Sequence, residues 1–194
     1  MESSFKNMVL TLLSVTLVSS FLLASVYNFT KEPISAAREA KRQQAISQVV
    51  PPFDRIETQI FPGYHEGDSL EFHFAYMGEE LVGIAVATYT TSGFSGLITA
   101  MVGFYPDGRI VDVVHLQHRE TPGLGDKIEK GKSDWSNQFR GIDPRTTDLR
   151  VTKDGGDIDG ITAATITARA YSEAIQKAFD TLEKQVLQKE GGNH

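Results

Sequence analysis

LITAMVGFYPDGRIVDVVHL, residues 97–116, reads as a β-hairpin. Two β-rich runs, Leu97–Tyr105 and Arg109–Leu116, are joined through Asp107-Gly108, a pair that tolerates the positive φ of a tight antiparallel turn. Upstream, Leu70, Phe72, Phe74 and Tyr76 alternate with Glu71, His73 and Ala75, and Met77-Gly78-Glu79-Glu80 turns the chain into Leu81–Thr90, which predicts another hairpin. Downstream, residues 127–140 carry Trp135 and Phe139 four apart and predict a short helix, and Leu149–Thr152 before Asp154-Gly155-Gly156 predicts one more strand and a turn. Ile166, Ala170, Ala174, Ile175, Ala178, Phe179, Leu182 and Val186 fall on one stripe of an amphipathic helix from Thr165 to about Gln188, before a Gly191-Gly192 tail. Hairpins flanked by helices make an α+β domain around an antiparallel sheet, and no internal repeat is present.

The N-terminal end is of a different kind. No charged residue occurs from Asn7 to Thr30. The apolar run Met8–Tyr27, about 20 residues, would form a helix roughly 30 Å long, the thickness of a hydrocarbon core. A cleaved signal peptide is the alternative reading, although Ala24-Ser25-Val26 is a weak cleavage site and the run exceeds the usual apolar length of about 7–15 residues. Residues 1–30 are therefore read as a transmembrane anchor. Pro33 suits the first turn of a juxtamembrane helix that Pro51-Pro52 ends, giving a connecting segment over 31–52 and a globular domain over 53–194. Lys31, Arg38, Lys41 and Arg42 outnumber Lys6 and the amino terminus, so the positive-inside rule would leave the C-terminal domain in the cytoplasm.

With 194 residues, 25 acidic and 19 basic side chains, the chain has a formal net charge of -6, all of it retained when residues 1–30 are set aside. That balance excludes a binder of nucleic-acid backbones, which needs a basic face. The absence of cysteine excludes disulfides, thiolate zinc sites, iron–sulfur ligation and cysteine nucleophiles, so any redox chemistry must ride on a cofactor held otherwise. Gly123-Leu124-Gly125-Asp126 lacks the third glycine and the βαβ setting of a dinucleotide fingerprint. Asp157, Asp159 and Gly160 echo a calcium loop, but Gly155 and Ile166 stand where its first and last ligands belong. No metal site is expected, because His115 and His118 beside a strand end fit solvated or packed histidines better than ligands.

Three segments remain. Gly93-Phe94-Ser95-Gly96 is a small-residue link between strands, where backbone N–H groups can approach a phosphate or a ring. Within His118–Gly125, Pro122-Gly123 suits the centre of a type II turn. Asp159-Gly160-Ile161-Thr162-Ala163-Ala164-Thr165-Ile166-Thr167 sets three hydroxyls and little bulk where a turn meets a helix start, a place that favours anions, with Thr162 the expected N-cap.

Residues 159–165 resemble the flavinylation motif, Asp-Gly-x-Ser/Thr-Gly/Ala-Ala-Thr, of the FMN-binding domain shared by the G subunit of the Rnf ion-translocating oxidoreductase and the C subunit of the sodium-pumping NADH:quinone reductase. Glu120-Thr121-Pro122-Gly123-Leu124-Gly125 and the 93–96 loop resemble two further blocks of that domain, in the same order, and the likeness spans roughly residues 90–170. Ala163 departs from it, since glycine is frequent there, as does Ala168-Arg169, where a small hydroxyl residue is common after Thr167.

The resemblance implies FMN bound covalently, as a phosphoester, to Thr165. It implies Thr162, Ala163, Ala164, Thr121, Gly123, Leu124, Gly93 and Ser95 around the cofactor. A separate flavin transferase would use FAD as donor and read Asp159 and Gly160. The implied function is electron transfer within a membrane complex coupling ferredoxin–NAD chemistry to sodium or proton transport, in a subunit that is not catalytically complete alone and binds neither NAD nor ferredoxin. Its partners would be the bilayer and the other membrane and peripheral subunits, among them a second covalent-flavin subunit. The resemblance also puts the domain on the extracytoplasmic, periplasmic face of the cytoplasmic membrane, against the charge count. The C subunit of the sodium pump and a membrane-tethered FMN-domain scaffold or regulator stand as alternatives.

Overall fold

In the computed structural model, which describes residues 5–63 and 67–187, the first helix does not end before Pro33. Helix α1 runs Phe5–Val49 with Pro33 inside it, so no separate juxtamembrane helix starts there. Pro33 forfeits one hydrogen bond, to the carbonyl of Phe29, and the helix-favouring residues on either side carry the helix through. Gln188 and the Gly191-Gly192 tail lie outside the described residues.

The chain divides into two compact units after Lys41. In the first, α1 is long and apolar enough to cross a membrane, and its apolar side chains are uncovered. The hydroxyls of Thr11, Ser14, Thr16, Ser25 and Thr30 each donate at 2.8 Å to the carbonyl four residues back, so they make no demand on water.

The second unit is a five-stranded antiparallel meander with neighbours in chain order: β1 Arg55–Pro62, β2 Ser69–Met77, β3 Glu80–Gly93, β4 Gly96–Phe104 and β5 Ile110–Gln117. Both predicted hairpins form. Tyr105 N–H donates to the Arg109 carbonyl at 2.8 Å, with Gly108 at φ +91 in the turn between β4 and β5. The edge strand β1 was not legible, because only Ile56 and Phe61 of its side chains pack against the interior.

Period-two alternation sorts the sheet into two faces. Phe72, Phe74, Ile84, Val86, Ile98, Val102 and Phe104 enter the main core with Tyr171, Ile175, Ala178, Phe179 and Leu182 of α2, Thr165–Leu182. Ala75, Ala85 and Met101 face the other way and meet Ala45, Ile46 and Val49 at the end of α1. The predicted Leu149–Thr152 strand reduces to a single bridge, Val151 with Ile158, since the glycine turn that follows leaves room for one pair. The predicted 127–140 helix is two 3-10 turns, Gly125–Ile128 and Trp135–Phe139. Asp112 on β5 secures this region. Burial works against its ionisation, but hydrogen bonds from Arg140, at 2.8 Å, and Lys130 outweigh it and hold the carboxyl below the ordinary range.

The end of α1 sits directly on the sheet backbone: a Cβ at Gly103 would stand 1.6 Å from the Val49 carbonyl oxygen. Gly103→Ala therefore forces the helix end off β4 and should lower stability by about 1–3 kcal/mol, read by urea unfolding of the full chain in detergent. An unchanged midpoint would contradict this packing.

Candidate functional site

Helix α2 starts without a cap. Ala163 has φ +63, the one positive φ outside glycine among the described residues, and Ala164, at φ −138 and ψ 44, flanks the first turn with no side-chain hydrogen bond to it. Thr162 is thus not the N-cap that the sequence suggested. The left-handed residue turns the chain between Thr162 and the helix, and Thr162 is exposed. The amides of Thr165, Ile166 and Thr167 open the helix with no acceptor in it, the arrangement that holds an anion elsewhere.

Two hairpin ends come to this helix start. Gly93 pairs with Gly96 at the tip of β3 and β4. After β5, the carbonyl of Thr121 accepts from the amides of Leu124 at 3.2 Å and Gly125 at 3.1 Å, with Gly123 at φ +77, as the Pro-Gly pair requires. Glu120 joins all three segments. Its side chain accepts from the Ser95 amide at 3.0 Å with one oxygen and from the Thr167 hydroxyl at 2.5 Å with the other, and the residue is only 5% exposed.

Between the segments lies a cavity of about 320 Å³, lined by Phe94, by Glu120, Thr121, Leu124 and Gly125, and by residues 163–167. Its rim is apolar and uncovered, with Phe94 67%, Leu124 40% and Ile166 48% exposed. Of the residues expected around a cofactor, Thr121, Leu124, Ala163, Ala164 and Thr165 line it. Gly93, Ser95, Gly123 and Thr162 do not: Gly93 and Ser95 support the hairpin, and Gly123 shapes the turn. Asp159 and Gly160 are exposed upstream, where Trp135 Nε1 donates to the Asp159 carbonyl at 2.6 Å and the Asp159 amide donates to Gln138 at 2.8 Å.

The three hydroxyls differ in setting. Thr167 is 1% exposed and bonded to Glu120, whereas Thr165 is half-buried on the cavity wall. Ile166 leaves the buried stripe it was assigned to and joins the rim, because the stripe starts at Thr167 and Ala168. Arg169 turns away to Asp154 through two 2.6 Å bonds, which hold the Asp154 carboxyl below its ordinary range. Sequence reasoning marked the 93–96, 120–125 and 159–167 segments, the 120–125 turn as a whole against the flavin, but did not single out Phe94, Glu120, Gly125, Ile166 and Thr167 among the site residues. The one available signal was an acidic residue at the head of a turn otherwise built of small and apolar residues.

His115, His118 and Glu129 also converge, with potential ligand atoms all within 4.8 Å. The hydrogen-bond network assigns the proton. His118 Nδ1 accepts from the Glu120 amide at 3.1 Å, so Nε2 carries the hydrogen and donates to Glu129 at 2.9 Å. In this arrangement His118 and Glu129 form a hydrogen-bonded brace behind Glu120.

A flavin mononucleotide suits these residues. Gly125, Ala163 and Ala164 leave the floor free of bulk, the open amides match a phosphate, the rim matches an aromatic ring, and the volume falls in the range of about 300–1,000 Å³ usual for small-molecule sites.

The FMN-binding domain family matches residues 93–180. The G subunit of the ion-translocating oxidoreductase complex of Shewanella amazonensis is 33% identical over 192 residues, covering 92% of this chain and 88% of the relative. Its counterpart in Vibrio atlanticus is 32% identical, covering 92% and 90%, and that in Erwinia tasmaniensis 34%, covering 86% and 84%.

The left-handed alanine generates a stability prediction. An L-residue with a Cβ pays about 1–2 kcal/mol in that region, part of which glycine returns through a freer unfolded chain. Ala163→Gly should raise the unfolding free energy of the full chain by about 1 kcal/mol, measured by urea denaturation. A loss of stability would contradict the strained geometry.

Proposed function

The chain belongs to the G-subunit family of Rnf-type ion-translocating oxidoreductase complexes, and we propose that it is the electron-transfer subunit that carries its FMN covalently on Thr165. The single observation that carries this reading is the convergence of the 93–96, 120–125 and 163–167 segments on one cavity at an uncapped helix start.

Thr165 is half-buried on the cavity wall, next to small Ala163 and Ala164. In the modification, its Oγ forms a P–O bond to the FMN phosphorus as the pyrophosphate bond of FAD breaks. AMP leaves, and the threonine proton passes to a base of the flavin transferase, since an unassisted threonine hydroxyl is a weak nucleophile. Asp159 and Gly160 are exposed, as recognition by that transferase requires. The open amides of the α2 first turn would hold phosphate oxygens, while Leu124, Phe94 and Ile166 would cover the ring and keep water from it. When bound, FMN supplies a carrier that accepts and releases electrons; the protein sets its position and potential. Electrons would pass to other subunits of the complex, including a second covalent-flavin subunit.

Helix α1 fits a single-pass anchor, and residues 31–194 are proposed to lie on the extracytoplasmic face of the cytoplasmic membrane. The sodium-pump and scaffold readings have no feature of the site that favours them.

Two experiments test this reading. In the full chain produced with the transferase, Thr165→Val should abolish flavin fluorescence and the added mass of FMN less water, whereas Thr167→Val should keep both; the reverse pattern would move the attachment to Thr167. Protease added to spheroplasts should clip the globular domain, and cleavage confined to inverted vesicles would place it in the cytoplasm.

A further inference from the structure

We infer that Glu120 is the positioning residue of this site: its two oxygens lock the Phe94 hairpin and the first turn of α2 together and commit the Thr167 hydroxyl, leaving Thr165 as the group presented to the transferase. The inference rests on the functional reading above.

Glu120 is buried with both oxygens engaged, one by the Ser95 amide at 3.0 Å and one by Thr167 at 2.5 Å. Room for it is made by two glycines. A Cβ on Gly93 would lie 2.9 Å from one Glu120 oxygen, and a Cβ on Gly125 would lie 2.8 Å from the other and 2.8 Å from the Thr167 hydroxyl. Its backbone is held as well, because the Glu120 amide donates to His118 Nδ1 and His118 Nε2 donates to Glu129. The brace thus runs from Glu129 through His118 and Glu120 to two of the cavity walls.

A hydroxyl against a carboxylate resembles an activated nucleophile, and by chemistry alone Thr167 would outcompete Thr165. Access reverses the order. Both threonines line the cavity, but Thr167 is 1% exposed with its hydroxyl held by Glu120, whereas Thr165 is half-buried and the more accessible of the two to an incoming FAD. Glu120, itself part of the wall, sets the positions of the other two walls through the bonds it accepts from Ser95 and Thr167.

The test uses the full chain produced with the flavin transferase and purified in detergent, as wild type, Thr167→Ser, Thr167→Val, Glu120→Gln and Glu120→Ala. Each is read by intact mass, by peptide mapping of the flavin, and by flavin emission and midpoint potential. Wild type and Thr167→Ser, which keeps the donor, should agree in all readouts. Thr167→Val keeps the side-chain shape and should keep FMN on Thr165, yet shift the emission maximum and the potential, because one Glu120 oxygen loses its donor. Glu120→Gln, which keeps the acceptor for Ser95, should shift them in the same direction, and Glu120→Ala further still. Wild-type emission and potential in both Thr167→Val and Glu120→Gln, with flavin on Thr165, would overturn the inference and leave the functional reading standing. Flavin on Thr167 in wild type would overturn the selection argument, and an unmodified wild-type chain would overturn the functional reading itself.

Discussion

A buried carboxyl group must find donors, and at Glu120 they come from segments that are remote in sequence. The Ser95 amide is 25 residues away and the Thr167 hydroxyl 47. Leaving either oxygen unmet in so buried a place would cost about 1–3 kcal/mol, more for an ionised group. That requirement fixes the spacing of two glycines, the inward turn of Thr167 and the docking of the hairpin tip on the helix start. A cavity bounded by three loops would otherwise have loose walls. The brace of His118 and Glu129 extends the same logic by holding the Glu120 backbone from behind.

The sheet decides where those loops can meet. The turn between β3 and β4 and the exit of β5 lie at the same end of the meander, since Thr99 pairs with Gln117 just beyond Gly96. Helix α2 is laid along β3 with its start toward that end: the Thr88 hydroxyl donates to the Ala174 carbonyl at 2.8 Å, and Lys177 pairs with Asp68 beside Tyr89. Opposite α2, the end of α1 packs so closely on β4 that only glycine fits at position 103. With both faces of the sheet covered, the loops at its end are the natural place for exposed chemistry.

Much of this was legible in the residues. Period-two patterning marked four strands, Asp107-Gly108 marked the tight turn, and the small-residue segments marked the three walls. What was missed follows from terms that a linear pattern does not contain. Strand β1 buries too little to leave a period, and Pro33 reads as a helix start although long helical flanks carry α1 through it. Thr162 has the chemistry of a cap, but the positive φ of Ala163 turns the chain between it and the helix, which starts at Thr165 as expected. That conformation also supplies a physical reason for the glycine frequent at this place in the flavinylation motif. Spacing could not separate Thr165 from Thr167. Their settings differ in the fold, because the Thr167 hydroxyl is bonded to a residue 47 positions earlier. The role of Phe94 was hidden for a similar reason: the glycines on either side of it explain the hairpin, and only the fold turns the ring toward the cavity.

The central claim is that this cavity is built to hold an FMN tethered to the start of α2. The most direct measurement is the intact mass of the protein purified from its native membrane, with in-gel flavin fluorescence on the same sample. The account predicts a fluorescent chain heavier than its sequence by one FMN less one water. A non-fluorescent chain at the mass of its sequence would contradict it.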